Sequence, residues 1–348
     1  DKISSIQILA KSGLDGIGSN SWVISGNLTD TGMPLLANDP HLGSQIPSIW
    51  YEVGLHCLTR GPDCDVDVTG FSFAGAPGVI IGHNERIAWG FTNVGPDVMD
   101  LYIEKINPEN PNQYEYLGNW VDMELITEDI QVAGGETLQE VVRLTRHGPV
   151  ITEVYGLEDF AQQAGLDLPQ NFVLAVHWTA LEPSCIFCAV WEFNKADNWD
   201  EFREAASLFA VPSQNLVFAD IDGNIGYQTP GNIPIRAKNH DGMLPVPGWT
   251  GEYEWLGYIP FDELPYAFNP PEGYIVTANN AVVGPEYPYS ISRQWAFGQR
   301  AQAIVDMIET TPGPIGIEAI KAMQGDNRML VAEDVLPVLM EVPLEGES

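Results

Sequence analysis

Short apolar runs separated by turn-forming residues are the dominant pattern of this chain. Its 348 residues include 34 glycines and 26 prolines, which are scattered along the whole length. Apolar runs of strand length between such residues predict β strands. The predicted strands are 21–25, 33–37, 49–56, 79–81, 87–92, 141–145, 172–179, 215–219 and 225–228.

Helical spacing occurs in fewer segments, most of them late in the chain. Asp197 and Asn198 are suitable N-terminal caps for a helix. The apolar residues that follow them at helical spacing are Trp199, Phe202, Ala206 and Phe209. Further helices are predicted at 301–308, 317–323 and 329–340, and Pro337 should break or kink the last one. Strands followed by helices predict an α+β fold.

The charge balance argues against two classes of partner. Forty-eight acidic residues against 15 basic ones give a formal net charge of −33, which would repel nucleic acid and anionic lipid. We therefore expect no nucleic-acid partner and no membrane partner, and attribute the acidity to solubility or to a salty or extracellular setting. The sequence starts without an initiating Met or a signal-peptide pattern, so a processed product or a fragment is expected.

The cysteines and histidines do not predict a metal centre. Cys57 and Cys64 flank a turn-like stretch, and Cys185-x-x-Cys188 has no second cysteine pair to complete a zinc site. Structural thiols or disulfides are the favoured interpretation, with metal or redox work as the alternative. The six histidines include no pair with the four-residue spacing of metal ligands on a helix.

Three short motifs fail on their context. Asp30-Thr31-Gly32 occurs once, whereas an aspartic protease needs two such loops, so a turn between strands is predicted. Gly70-Phe71-Ser72-Phe73-Ala74 lacks the last glycine and the following helix of a nucleophile elbow. Asp220-Ile221-Asp222-Gly223 lacks the later glutamate of a calcium loop and is predicted to be a hairpin turn.

One set of motifs does match a known pattern. Gly18-Ser19-Asn20-Ser21-Trp22 resembles the self-cleavage junction of the penicillin acylase family, where a serine after a small residue becomes the N-terminus of the large chain. Further blocks keep the family's order and rough spacing up to about residue 310, which makes the signal specific. They are Asn38-Asp39-Pro40-His41-Leu42, Gly75-Ala76-Pro77-Gly78, 83–93, Asp97-x-x-Asp100, 146–149, 219–227, 244–248, 273–280 and Gln299-Arg300.

The resemblance implies an N-terminal nucleophile (Ntn) hydrolase that attacks amides with Ser19. Once the Gly18–Ser19 bond is cut, the serine carries its own base, because a free α-amino group has a pKa of about 8. This chemistry needs no histidine and no catalytic cofactor. By the same resemblance, the side-chain amide of Asn279 and the backbone N–H of Asn93 stabilise the oxyanion.

Supporting roles are implied in the same way. His41 would help to hold the substrate amide, and Arg300 would organise the site around Asn279. Asp97 and Asp100, with the Met99 carbonyl between them, match calcium-ligand positions. A third family carboxylate falls near Ile291 in this chain, and one ligand normally comes from the small chain. A structural Ca²⁺ is thus an expectation of the resemblance.

The acyl pocket departs from the phenylacetyl-specific members of the family. Leu42 and Ile81 align with aromatic walls, and Phe91 and Gln214 align with smaller or apolar residues. Trp178 matches a pocket wall. The reshaped pocket favours an aliphatic acyl group, such as that of an acyl-homoserine lactone or a lipopeptide, at least as much as a penicillin side chain.

The implied fold is the four-layer αββα sandwich of Ntn hydrolases, with antiparallel sheets between helical layers. Residues 1–18 would end a spacer peptide, and 19–348 would form the N-terminal portion of the large (β) chain. A small (α) chain from the same precursor is the expected partner, an N-acyl amide the expected substrate, and the periplasm or the exterior the expected location.

Structural interpretations remain open for the individual residues. The candidates could be ordinary turn, core or surface residues, namely Ser19, His41, Asn93, Trp178, Asn279 and Arg300. Two rival functions also remain: a catalytically inactive Ntn-like protein that binds an amide or peptide, and a secreted β-rich binding module. The first would not be cleaved at Ser19, and the second would tolerate Ser19→Ala.

Overall fold

The computed structural model describes residues 18–43, 45–62, 64–152 and 171–341. Most of the expected spacer peptide (1–17) and the last residues of the expected large-chain portion (342–348) lie outside these ranges. In the described residues no helix is both long and apolar enough to span a bilayer.

Twenty strands and five α helices make up the described part of the chain. The strands are β1 (Gly18–Ile24), β2 (Leu35–His41), β3 (Trp50–His56), β4 (Asp67–Phe73), β5 (Ile81–His83), β6 (Ile87–Asn93), β7 (Met99–Asn107), β8 (Asn110–Tyr116), β9 (Asn119–Asp122), β10 (Glu124–Ile130), β11 (Leu138–Thr145), β12 (Gly148–Pro149), β13 (Phe172–Trp178), β14 (Gln214–Asp220), β15 (Ile225–Gln228), β16 (Pro234–Arg236), β17 (Val246–Pro247), β18 (Trp255–Tyr258), β19 (Tyr266–Phe268) and β20 (Tyr274–Thr277). The helices are α1 (Ile186–Lys195), α2 (Trp199–Ser207), α3 (Gln299–Thr310), α4 (Ile317–Gln324) and α5 (Leu330–Met340).

Two antiparallel sheets face each other between two helical layers. The smaller sheet has the strand order β2-β1-β20, and the larger has the order β19-β15-β14-β6-β5-β4-β3. Strands β1 and β2 lie against β6. Helices α3 and α4 cover the outer face of the smaller sheet, and α1 and α2 cover the outer face of the larger one. The expected α+β fold with an αββα sandwich is confirmed.

Alternation along β1 decides which side chains reach the inter-sheet space. Trp22 and Ile24 pack on the α3 and α4 layer, whereas Val23 packs against residues of β14 and β15. Successive strand side chains point to opposite faces, so Ser19 and Ser21 share the inner face with Val23. The nucleophile candidate therefore lies between the two sheets.

The larger sheet follows the same rule. Trp89 and Phe91 of β6 pack with the helical layer, together with Leu216 and Phe218 of β14. Thr92 and the residues in step with it point inwards instead. Phe218 is fully buried, with its ring 5.2 Å from Trp199 and 5.1 Å from Phe202.

The remaining strands form smaller units beside the sandwich. A sheet of order β13-β7-β8-β9 also pairs β17 in parallel with β7, while β10-β11-β12 and β16-β18 are separate. Both cysteine pairs form disulfides, Cys57–Cys64 and Cys185–Cys188, in keeping with the structural interpretation.

Most predicted elements are present, with shifted ends. The strand predicted at 79–81 is wrong in position, since β5 starts at Ile81. Val79 instead forms two backbone hydrogen bonds with the Asn194 side chain: its N–H donates to Oδ1 and its carbonyl accepts from Nδ2, both at 2.7 Å. Helix α5 continues through Pro337 rather than breaking there. The Asp30 turn and the Asp220 hairpin are found as predicted, and the Gly70 segment is a strand.

A charged cluster is buried behind β7. His147 is 1% exposed and its ring stacks on Tyr102 at 3.9 Å. Its Nδ1 lies 2.7 Å from Glu104 Oε1, and its Nε2 lies 3.1 Å from Glu254 Oε1. Burial opposes a charge on His147, but the two carboxylates outweigh burial and raise its pKa above the usual value. Burial likewise opposes the charge on Glu254, yet His147 lowers the pKa of this carboxyl.

Replacing Phe218 by alanine should destabilise the fold strongly, because it leaves a cavity between β14 and α2. We expect a loss of about 3–5 kcal/mol in the free energy of unfolding. Urea denaturation of the full-length protein measures it. The matched control is Phe187→Ala, whose ring is 48% exposed, and equal losses in both variants would contradict the proposed core.

His147 should stabilise the fold in a pH-dependent way. A raised folded pKa means that its contribution is complete below the unfolded value of about 6.5 and is lost as pH rises through the folded pKa. The stability difference between wild type and His147→Gln should therefore be larger near about pH 6 than near about pH 9. Denaturation at both pH values tests this, with exposed His83→Gln as control; a pH-independent difference would refute it.

Candidate active site

Ser19 occupies the second position of β1, at the end of the inter-sheet space. It is 4% exposed, and its strand partner is Pro40 of β2. Its backbone N–H donates to Asn279 Oδ1 at 2.9 Å. The nitrogen that would become the free amine is thus already held by a side chain from the other edge of the sheet.

Asn279 is the residue on which the site contacts converge. It follows β20 with a φ of 63°, in the left-handed region that asparagine tolerates better than most residues. Its Oδ1 accepts from Ser19 N and from Arg300 Nη2, each at 2.9 Å. Its Nδ2 donates to the Asn93 carbonyl at 2.9 Å. Two donors on one side and an acceptor on the other define the orientation of the amide.

Arg300 links the start of α3 to β1, the strand that carries Ser19. Its Nη1 donates to Ser19 O at 2.9 Å and to Asn20 Oδ1 at 2.7 Å. Burial lowers the pKa of Arg300 while nearby Asp39 opposes that shift, and a guanidinium remains charged in proteins. One rigid cation thereby fixes the Ser19 carbonyl relative to Asn279.

Three side chains of the candidate site crowd the position of Gly18. A Cβ at this position would lie 2.8 Å from His41 Cε1 and 3.2 Å from both Arg300 Nη2 and Asn279 Oδ1. His41 is the register partner of Gly18 at the end of β2. The structure therefore brings His41 to the peptide bond that would be cut.

Asn93 ends β6, opposite Gln214 of β14. Its position relative to β1 is fixed by Asn38, whose role the sequence did not reveal. Asn38 Nδ2 donates to Asn20 O and Phe91 O, and its Oδ1 accepts from Phe91 N, all at 2.9 Å. A half-buried, paired carboxamide that joins two sheets in this way leaves no periodic signal in a sequence.

The predicted pocket residues lie on several elements. Leu42 lines a cavity of about 300 Å³ with Pro40, Ile49 and Trp50, beside β1. Trp50 also packs against the core cluster that contains Phe91 and contacts Ile81. Gln214 lies across from Asn93, and Trp178 ends β13 with 39% exposure.

The sequence of this chain is similar to those of known proteins. The profile of the penicillin amidase family matches residues 2–348. The acyl-homoserine lactone acylase QuiP of Pseudomonas aeruginosa is 33% identical over 303 residues, covering 86% of this chain and 35% of the relative. Penicillin G acylase of Escherichia coli is 31% identical over 312 residues, covering 87% and 34%.

This chain belongs to the penicillin amidase family.

A solved structure supports the assignment at the level of the fold. The thermostable penicillin G acylase from Alcaligenes faecalis superposes with a TM-score of 0.76 at 30% identity, over 94% of this chain and 56% of that one. The present chain spans about a third of the length of the curated relatives named above.

The calcium positions suggested by the family resemblance do not fit a metal ion. Asp100 is 2% exposed and accepts from Arg236 Nε at 2.7 Å and from Trp255 Nε1 at 2.5 Å. Arg236 Nη2 also lies 3.1 Å from both Asp97 Oδ1 and the Asp97 carbonyl. The guanidinium thus bridges the two carboxylates that a cation would bridge.

The third carboxylate of the expected ligand set is also missing. Ile291, at that position, packs in an apolar cluster. Within the described ranges, no three acidic, histidine or cysteine side chains are arranged to hold a metal.

Chelation should therefore leave the fold unaffected. Dialysis of the full-length protein against EDTA should not change its thermal midpoint, and added Ca²⁺ should not raise it. Arg236→Ala should cost about 3–5 kcal/mol, because it leaves a buried carboxylate without its cation. Arg86→Ala, which removes an exposed partner of Asp222, should cost under about 1 kcal/mol. A midpoint lowered by EDTA would contradict this assignment.

Proposed function

We propose that this protein is an acylase that cleaves N-acyl amides through an acyl-enzyme on Ser19, after self-cleavage of the Gly18–Ser19 bond. The observation that carries the proposal is the contact of the Ser19 nitrogen with Asn279, itself held by Arg300. An N-terminal serine nucleophile requires that the nitrogen of the serine is held beside the hydroxyl of the same residue.

In the precursor, the proposed first step is intramolecular. Ser19 Oγ attacks the Gly18 carbonyl, and its proton passes to the Ser19 nitrogen as the C–N bond breaks, which frees the amine and leaves an ester on Oγ. Water then hydrolyses this ester, which releases the Gly18 carboxylate and restores the Ser19 hydroxyl. Arg300, close to that amine, disfavours a second positive charge and so keeps the amine in its basic, neutral form. While the Gly18–Ser19 bond is intact the nitrogen cannot act as a base, so the uncut chain should be inactive.

In the processed protein, the amine removes the hydroxyl proton and Oγ attacks the substrate carbonyl. The second N–H of Asn279 Nδ2 and the backbone N–H of Asn93 would donate to the oxyanion. Each such donor is typically worth about 3–4 kcal/mol. The leaving amine takes a proton, and water then hydrolyses the acyl-serine. No step in this scheme needs a metal or an organic cofactor.

The substrate class follows from the pocket and the relatives. Leu42, Ile49 and Trp50 contribute apolar side chains to the cavity beside β1, whose lining also includes Gln45 and Ser48. We propose that an aliphatic acyl chain lies against these apolar side chains. An acyl-homoserine lactone and a penicillin are the two substrate types named for the relatives. We propose the small chain of the same precursor as partner, and an oxidising periplasmic or external location, which the two disulfides support.

Ser19→Ala should abolish both self-cleavage and hydrolysis in the full-length gene product. Intact mass and N-terminal sequencing should show a new N-terminus at Ser19 in the wild type only. The processed wild type should then release acid from N-acyl amides, with a panel of chain lengths defining the preference. The control Ser25→Ala, just beyond β1, should be cleaved and active. An uncut wild type would favour the inactive, ligand-binding alternative, and cleavage of Ser19→Ala would remove the nucleophile assignment.

A further inference from the structure

A continuous network of buried hydrogen bonds runs between the two sheets, behind the candidate site. The Tyr227 hydroxyl lies 2.6 Å from Thr229 Oγ1 and donates to Asn215 Oδ1 at 2.6 Å. Asn215 Nδ2 donates to Thr92 Oγ1 at 3.0 Å. Tyr227 is 7% exposed, and the side chains on either side of it are fully buried.

The hydrogen-bond network then crosses from the larger sheet to the smaller one. Thr92 Oγ1 donates to Thr277 Oγ1 at 2.9 Å, and Thr277 Oγ1 donates to the Ser21 carbonyl at 3.5 Å. Thr92 and Thr277 are 1% and 2% exposed. The path thus begins on β15 and ends on the backbone of the nucleophile strand.

The two ends of one carboxamide set the direction of every bond. Asn215 Oδ1 can only accept a hydrogen bond, so the Tyr227 hydroxyl donates its single proton to it and must accept from Thr229. Asn215 Nδ2 can only donate, so Thr92 accepts from it and passes its own proton towards Thr277. The hydroxyls of Tyr227, Thr92 and Thr277 each have one donor and one acceptor. Such a buried network is rigid, since any reversal leaves a buried group unpaired.

The hydrogen-bond network touches the strands that carry Ser19 and Asn93 and the strand that leads to Asn279. Thr92 precedes Asn93, Thr277 precedes Asn279 by two residues, and Ser21 follows Ser19 by two. Asn215 Nδ2 also lies 3.4 Å from the Asn93 carbonyl, which Asn279 Nδ2 contacts from the other side. Apolar packing alone would not fix the offset between the sheets, because aliphatic contacts tolerate sliding that hydrogen bonds do not.

We propose that Thr277 and Asn215 are positioning residues, which set the offset between the sheets so that Asn93 and Asn279 meet the oxyanion formed at Ser19. This inference rests on the proposed acylase function. The residues touch no reacting atom and act through the strands that carry Asn93, Asn279 and Ser19.

Thr277→Val removes one hydroxyl with almost no change of shape and is the direct test. In the processed full-length enzyme we expect kcat to fall by about 10-fold or more with KM within about 2-fold, since a misplaced oxyanion donor weakens the transition state and not substrate binding. Thr277→Ser, which keeps the hydroxyl, should restore most of kcat. Thr179→Val, a buried threonine on another element, serves as the packing control and should leave kcat unchanged.

The outcomes separate this inference from the proposed function. A wild type that neither self-cleaves nor hydrolyses amides refutes the function itself. An active wild type with an equally active Thr277→Val refutes only the positioning role, as does a loss that Thr277→Ser shares. Should Thr277→Val fail to fold, Tyr227→Phe tests the far end: a lower kcat at constant KM supports the proposal, and an unchanged kcat overturns it.

Discussion

The site depends on the carboxamide of Asn279, which faces two ways at once. Its oxygen accepts hydrogen bonds from the Ser19 N–H and the Arg300 guanidinium, and its nitrogen donates to the Asn93 carbonyl. In the proposed mechanism, the oxygen holds the scissile amide nitrogen and the nitrogen donates to the oxyanion. A carboxylate could not donate and a lysine ammonium group could not accept, so neither could replace the asparagine here.

The sandwich makes this arrangement possible through strand alternation. The outer faces of both sheets are apolar and bury against helices, which leaves the inner faces able to carry hydroxyl and amide groups. Thr92 and Thr277 place hydrogen-bonded hydroxyl groups on these inner faces, and Val23 and Val217 form an apolar cluster between the same sheets. Low polarity around a fully paired network strengthens its hydrogen bonds and penalises any loss of pairing, so the fold favours a single offset between the sheets.

The sequence predicted the elements that obey simple periodicity and failed where polar residues are buried. β7 alternates in its burial, but its inward positions include Asp100 and Glu104, so a search for apolar alternation passes over it. Helix α1 has no side-chain cap and starts beside a disulfide, which hides its beginning. Ser19, Asn93, Asn279 and Arg300 were found because their spacing resembles a family pattern. Arg236 belongs to no such pattern, and its role depends on contacts between residues 136 positions apart.

The placement of Arg300 and Arg236 follows from the charge balance of the chain. With 15 basic residues against 48 acidic ones, most carboxylates must rely on water, and a cation is most effective where water is excluded. Arg300 is half-buried against the Ser19 carbonyl, and the Arg236 side chain is 6% exposed against two carboxylates. A guanidinium suits both places because its donors form a rigid fork and its charge does not titrate. At Asp97 and Asp100 this also makes the bridge independent of any dissolved ion, which ties the cation to the fold itself.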